Sequence, residues 1–395
     1  MDLYYNFCSQ MSGNWEKDPD TALNSPMEVH NMKKFSFFLT IALVVSLLAG
    51  CAGTPVVYYS DCTCPADSHV VVTETTVPAA QSTEAPVTAE GAVKTGLYIS
   101  TGIGDSKSAT AEENGEAKYD VTMVAVLVDD NGVIQNCVID GISTSVKFDA
   151  AGAIVSDLAA APQTKNELGE NYGMVAYGNA VAEWDAQAAA LASYAVGKTV
   201  EELKSGAVNE SGYAADADLA SSATIYLGGY VSAIEAAGSN AQHLGAQAGD
   251  VLKLASLTGI DGSTGADAEN AGNAQLDATV TALTMNGETI TSCAIDAVQA
   301  KVAFDANGTI TSDVTAPVQT KKELGEKYGM VTYAGAVAEW NEQAASFAAY
   351  VTGKTPAEVS GIAVDESTHP TDADLASSVT IAIGGFQALI AKAAQ

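Results

Sequence analysis

The chain has 395 residues, with 17 basic against 48 acidic ones and a formal net charge of −31. Every basic residue is a lysine. That balance excludes a nucleic-acid binder, whose affinity needs a basic surface to displace counterions from phosphate. The lack of arginine also removes the planar fork that grips phosphate or carboxylate in a bidentate way. With 47% hydrophobic residues most of the chain has enough apolar material to bury a core, and the length suits two to three domains.

In chain order, residues 1–31 carry acids at Glu16, Asp18, Asp20 and Glu28, the wrong charge for the start of an exported protein, and read as an over-called upstream extension before Met32. Residues 32–50 then have the form of a signal peptide: Lys33 and Lys34, an apolar run over 35–48, and small residues before Cys51. That run is too short for a comfortable membrane span and suits a cleaved signal. Leu48-Ala49-Gly50-Cys51 resembles the bacterial lipobox, which implies a diacylglyceryl group on Cys51 and a protein held by lipid on the extracellular face of the cell membrane. A plain secretory signal with an incidental cysteine is the alternative. The exported part, residues 51–395, holds 14 lysines and 43 acidic residues.

Residues 51–93 are rich in Thr, Val, Pro, Ala and Glu and read as a flexible tether. Cys62 and Cys64 within it have no further ligands at metal-site spacing, and read as a disulfide or two thiols.

The rest is one module written twice. TKNELGENYGM at 164–174 recurs as TKKELGEKYGM at 320–330, and the same offset of 156 relates Cys137 to Cys293, Asp140 to Asp296, Phe148 to Phe304, Trp184 to Trp340 and Lys198 to Lys354. Upstream the offset is 157, relating Gly115 to Gly272 and Asp120 to Asp277. A period this long signals a duplicated domain rather than a solenoid. The copies are assigned to 94–237 and 243–395, with 238–242 as a joint.

Each copy opens β and closes α. In the first, 119–128 and 133–139 are strand-like around an Asp-Asp-Asn-Gly turn, and 146–154 repeats a strand–turn–strand pattern, predicting four short antiparallel strands. A short helix is predicted over 163–172, ending at Gly173, then one over 180–196 with Val181, Trp184, Ala188, Leu191 and Ala195 on its apolar stripe, and a last over 216–237. Strands followed by helices indicate an α+β fold.

Chemistry-bearing candidates are few. Trp184 and Trp340 either stack on a planar ligand or pack on the apolar side of their helices. Asp216, Asp218, Asp372 and Asp374 sit at helix starts, where carboxylates cap and complement the dipole; a cation site is the other reading. Gly228-Gly229 and Gly384-Gly385, inside the last helix, imply close backbone packing or a kink. Cys137 and Cys293 read as small core residues, and Lys165, Lys321, Lys198 and Lys354 as solvated surface groups. His69, His243 and His369 have no counterparts in the other copy, so no duplicated nucleophile–histidine pair exists. No catalytic residue and no metal ligand is assigned, and the chain is read as not an enzyme.

The opening of each copy, Gly96-Leu-Tyr-Ile-Ser-Thr-Gly-Ile103 followed by Gly115, a strand over 121–128, a turn and a strand over 133–140, is similar to that of FMN-binding-domain proteins. Those are exported or membrane-anchored modules, some of them tandem lipoproteins, and some carry the flavin on a threonine in an Asp-x-x-Ser-Gly-Ala-Thr motif. The resemblance implies a flavin-dependent electron-transfer protein with FMN as cofactor and redox partners at the membrane, and it points to Ser108 and Thr110, in Asp105-Ser-Lys-Ser-Ala-Thr110, with Trp184 and Trp340 as flavin contacts. This stretch is one residue short of the motif and precedes the sheet. In the second copy Asp267 stands where the acceptor threonine is expected. A cofactor-free ligand-binding or structural surface protein is the alternative.

Overall fold

A computed structural model describes residues 91–395. The upstream extension, the signal peptide, Cys51, the Cys62/Cys64 pair and the tether up to residue 90 lie outside the described residues. The first copy folds as β1 (Lys94–Gly102), β2 (Gly115–Val128) and β3 (Ile134–Phe148), an antiparallel sheet in that order. The second repeats it as β4 (Val251–Gly259), β5 (Gly272–Asn286) and β6 (Thr289–Phe304). Helices follow each sheet, so the fold is α+β with two tandem sheet-then-helix modules.

Each sheet has three strands rather than the four expected, because the middle and last strands are long: β2 has 14 residues and β3 has 15. The segment after Phe148 turns back around Gly152, whose φ is +74°, with the Asp149 carboxylate accepting from the Ala151 and Ala153 N–H groups. It makes one isolated bridge, Phe148 to Ile154, and then leaves the sheet.

The helices of the first copy are α1 (Lys165–Leu168), α2 (Met174–Gly178), α3 (Trp184–Ala195), α4 (Val200–Gly206), α5 (Ala217–Ser222) and α6 (Gly228–Ser239). Their counterparts are α7 (Lys321–Leu324), α8 (Met330–Ala334), α9 (Trp340–Val351), α10 (Pro356–Ser360), α11 (Ala373–Ala376) and α12 (Gly384–Ala393). Capping boxes led by threonine start four of them: Thr164 with Glu167, Thr199 with Glu202, Thr320 with Glu323 and Thr355 with Glu358. The single last helix expected over 216–237 is two helices. Between them the buried Gln187 side chain on α3 accepts from the Thr224 and Ile225 N–H groups, taking donors that a continuous helix would use. Gln343 does the same for Thr380 and Ile381. The paired glycines therefore begin α6 and α12 rather than lie inside a longer helix.

Strand alternation builds the layers. On β2 the side chains of Val124, Val126 and Val128 meet Trp184, Leu191 and Ile234 of the helices, while Tyr119, Val121 and Met123 face the other way. There they join Leu276, Ala278 and Val280 of β5 in a core that both copies share. The order is helices, sheet, sheet, helices, and neither sheet leaves its inner face to solvent.

The joint also differs from expectation. Residues 238 and 239 complete α6, and the chain after them runs beside β1: Thr95 N–H donates to Gln242 O at 2.8 Å, Gln242 N–H returns to Thr95 O at 3.0 Å, and Val93 N–H donates to Ala246 O at 3.0 Å. Ala92 and Gln247 form a further bridge.

Candidate functional site

Ser108 and Thr110 lie in the loop between β1 and β2, and both have structural partners. Ser108 Oγ accepts from Ile310 N–H of the other copy at 3.0 Å. The Thr110 hydroxyl accepts from the Glu112 and Glu113 N–H groups at 3.3 and 3.0 Å, closing a tight turn. Asp267, its counterpart, accepts from the Glu269 and Asn270 N–H groups at 2.8 and 2.7 Å. Threonine and aspartate are thus interchangeable turn formers here. Asp267 has no hydroxyl to carry a flavin ester, and in the first copy the Thr110 hydroxyl holds the same turn.

Trp184 and Trp340 are buried at the starts of α3 and α9. Trp184 Nε1 donates to the Tyr230 hydroxyl at 3.1 Å, and the two rings meet edge to face; Trp340 meets Phe386 in the same way. Trp184 packs in the helix-side core of the first copy and Trp340 in that of the second, whereas Ser108 and Thr110 lie in the loop after β1. The lysines read as solvated are half-buried over aromatic rings. Lys165 Nζ stands 4.9 Å from the Trp184 ring centroid and 5.3 Å from that of Tyr172, and Lys321 stands 4.8 and 5.0 Å from Trp340 and Tyr328. Lys198 Nζ lies over the Tyr194 ring and donates to Tyr194 O at 2.6 Å, at the end of α3.

Asp216 and Asp372 cap α5 and α11, each accepting from two N–H groups of the first turn. Among the described residues no group of three or more His, Cys, Asp or Glu is placed to hold a metal ion. Cys137 and Cys293 are buried in β3 and β6, and burial pushes each thiol up to about 12. No helix among the described residues is long and apolar enough to cross a membrane.

Two features were not singled out from the sequence. The first is a pair of exposed apolar tips. Val175, Tyr177 and Val181, around α2, are exposed, and so are Val331, Tyr333 and Val337 around α8; Tyr177 is 91% exposed and Tyr333 85%. Val181 is thus on the surface and not on the α3 stripe. The retention of VxYxxxV in both copies was the signal available. Each tip is held by a carboxylate: Glu183 accepts from the Met174 and Val175 N–H groups, and Glu339 from those of Met330 and Val331.

The second is a groove between the copies, of about 310 Å³, lined by Asp140 of β3, Thr164, Asn166 and Glu167 around α1, Leu254 to Ser256 of β4, and Lys392 of α12. Lys392 pairs with Glu167 and donates to Ser256 O at 2.8 Å. The Ser256 hydroxyl is buried without a hydrogen-bond partner. Asp140 Oδ1 accepts from the Gly141 and Asn166 N–H groups at 2.7 and 3.1 Å, yet burial raises its pKa above the usual carboxylate value. The duplicated Asp140/Asp296 pair and the recurring TKNEL/TKKEL motif marked the walls from the first copy, while Leu254 to Ser256 and Lys392 come from the second.

The chain has no significant match to a protein-family model, a curated protein or a solved structure.

Proposed function

We propose that the chain is a lipid-anchored extracellular protein, held through Cys51 and a tether that ends before Ala92 and Val93, which pair with segment 246–247, and that its paired modules act together as one cofactor-free binding head. The observation that carries this reading is the Thr110/Asp267 exchange, in which both side chains form the same turn by accepting from two backbone N–H groups. Those bonds account for Thr110 as a structural residue, and the aspartate has no hydroxyl to esterify. The two exposed tips and the groove supply surface for binding, and the shared core makes the head rigid enough to present it.

The competing reading, electron transfer through covalently bound FMN, is separated by one experiment. The mature protein, co-expressed with a flavin transferase, is examined by absorption spectroscopy and intact mass, and the purified protein is titrated with FMN. A colourless protein with lipid as its only added mass, and no quenching of FMN fluorescence, is expected. Flavin mass on Thr110, or saturable FMN quenching, overturns the reading. The same mass measurement reports the diacylglyceryl group on Cys51.

A further inference from the structure

The two copies meet along two related grooves, one between β1 and β6 and the other between β4 and β3. Along the first, the chain's own segment 240–247 runs against the edge of β1, bridging it at Gln242 and Gln247 around a bend at Leu244–Gly245, exchanging two backbone hydrogen bonds with Thr95 and accepting from Val93 N–H at Ala246. That groove retains only about 30 Å³, lined by Thr95, Leu97, Asn240, Gln242, Leu244 and Asp296 among others.

In the second groove the counterparts of Thr95 and Leu97 are Leu252 and Leu254. The strand period places their N–H and C=O groups on the outer edge of β4, as Thr95 is on β1. The Lys392 bond to Ser256 O marks the same edge two residues further on. Among the described residues β4 pairs only with β5, and no backbone hydrogen bond is made by the outer groups of Leu252 or Leu254. About 310 Å³ is open beside Leu254, and the buried Ser256 hydroxyl there has no partner.

We propose that this second groove binds an extended peptide, which adds to the β4 edge as segment 240–247 adds to the β1 edge. Strand addition to an open edge supplies main-chain hydrogen bonds, with specificity left to pockets for alternate side chains. Asn166 and the Lys392–Glu167 pair along this groove suit small and polar side chains, and Leu254 offers one apolar contact. The resident segment has that character, Asn240-Ala-Gln-His-Leu-Gly-Ala-Gln247. The assignment rests on the reading of the head as a binding unit.

The test uses the full mature protein and a fluorescent peptide of the sequence of residues 239–247, followed by anisotropy. Saturable binding at one peptide per chain is expected, weakened at least tenfold when the peptide is N-methylated at the position of Gln242, whose N–H is the segment's donor to Thr95 O on the β1 edge, a change that keeps every side chain. No saturation up to millimolar peptide overturns the proposal. Binding that N-methylation leaves unchanged also overturns it, since the groove then recognises side chains or small polar solutes rather than a strand. A protein that takes the peptide yet carries flavin overturns the cofactor-free reading and leaves the groove assignment standing.

Discussion

Phe148 and Phe304, the same position in the two copies, stack face to face with ring centroids 3.9 Å apart and planes 4° from parallel. Each ring also lies over a glycine of the neighbouring strand: a Cβ on Gly115 would fall 2.2 Å from Phe148, and one on Gly272 2.3 Å from Phe304. The end of one sheet is thus closed by the end of the other. Phe148→Ala is expected to cost about 3–5 kcal/mol, the range for truncating a buried aromatic side chain, and Gly115→Ala to destabilise by overpacking. Because the core is shared, urea denaturation followed by tryptophan fluorescence and by far-UV circular dichroism is expected to give one coincident transition for both variants. A first copy that melts while the second stays folded would refute the shared core.

Tyr119 lies in that same core with its hydroxyl unpartnered, and burial raises its pKa, helped by the nearby Asp277 carboxylate. Its counterpart is Leu276, so the second copy fills the place with an apolar side chain. A buried hydroxyl without a partner costs about 1–3 kcal/mol. Tyr119→Phe is therefore expected to raise the melting temperature, read by differential scanning calorimetry. A lowered melting temperature would mean that the hydroxyl has a partner in solution.

The duplication was legible because whole motifs recur at one offset, and the α+β order because strand alternation gives way to 3-4 spacing before Trp184. What was not legible depended on contacts between the copies. The return after Phe148 reads as a strand pair locally, but it makes one bridge and leaves, so the strand count came out too high. The break between α5 and α6 is made by Gln187, 37 residues upstream of Thr224, and no local pattern reports it. The lysines at 165 and 321 look solvated in sequence because the rings beneath them belong partly to a later helix. The groove was only half legible for the same reason: repetition marks Asp140, Thr164 and Glu167, but Ser256 comes from the other copy and has Ile99 as its counterpart, so nothing in the sequence brings the two walls together.

The turn role of Thr110 makes a direct prediction. Thr110→Asp, which imports the residue of the second copy, is expected to change stability by less than about 0.5 kcal/mol, the usual range for a tolerated surface substitution. Thr110→Val, which keeps the shape and removes the acceptor, is expected to cost about 1 kcal/mol, as loss of a capping side chain does. Guanidinium denaturation of the three proteins checks the ranking. Equal losses for both variants would show that the hydroxyl itself is needed and would reopen the case for Thr110 as an attachment point.

Asp140 and Asp296 give the fold a distinct pH response. Burial raises both carboxyls above the ordinary value of 3.8, against hydrogen bonds that lower them. As pH rises from that ordinary value, the unfolded chain releases these protons first, and the native state holds more of them. Their contribution to stability is therefore complete at low pH and declines until the native carboxyls have ionised. Asp140→Asn keeps an oxygen for the Gly141 and Asn166 N–H groups and removes the buried charge. The Thr164 hydroxyl also hydrogen-bonds the Asp140 carboxylate, and whatever the change costs there applies at every pH, so the informative quantity is the slope. Relative to the parent protein, the variant is expected to gain stability between pH 4 and pH 7 in urea denaturation, and Asp296→Asn is expected to behave alike. A difference that is flat with pH, or that falls, would show that burial does not disfavour the charged form at this position.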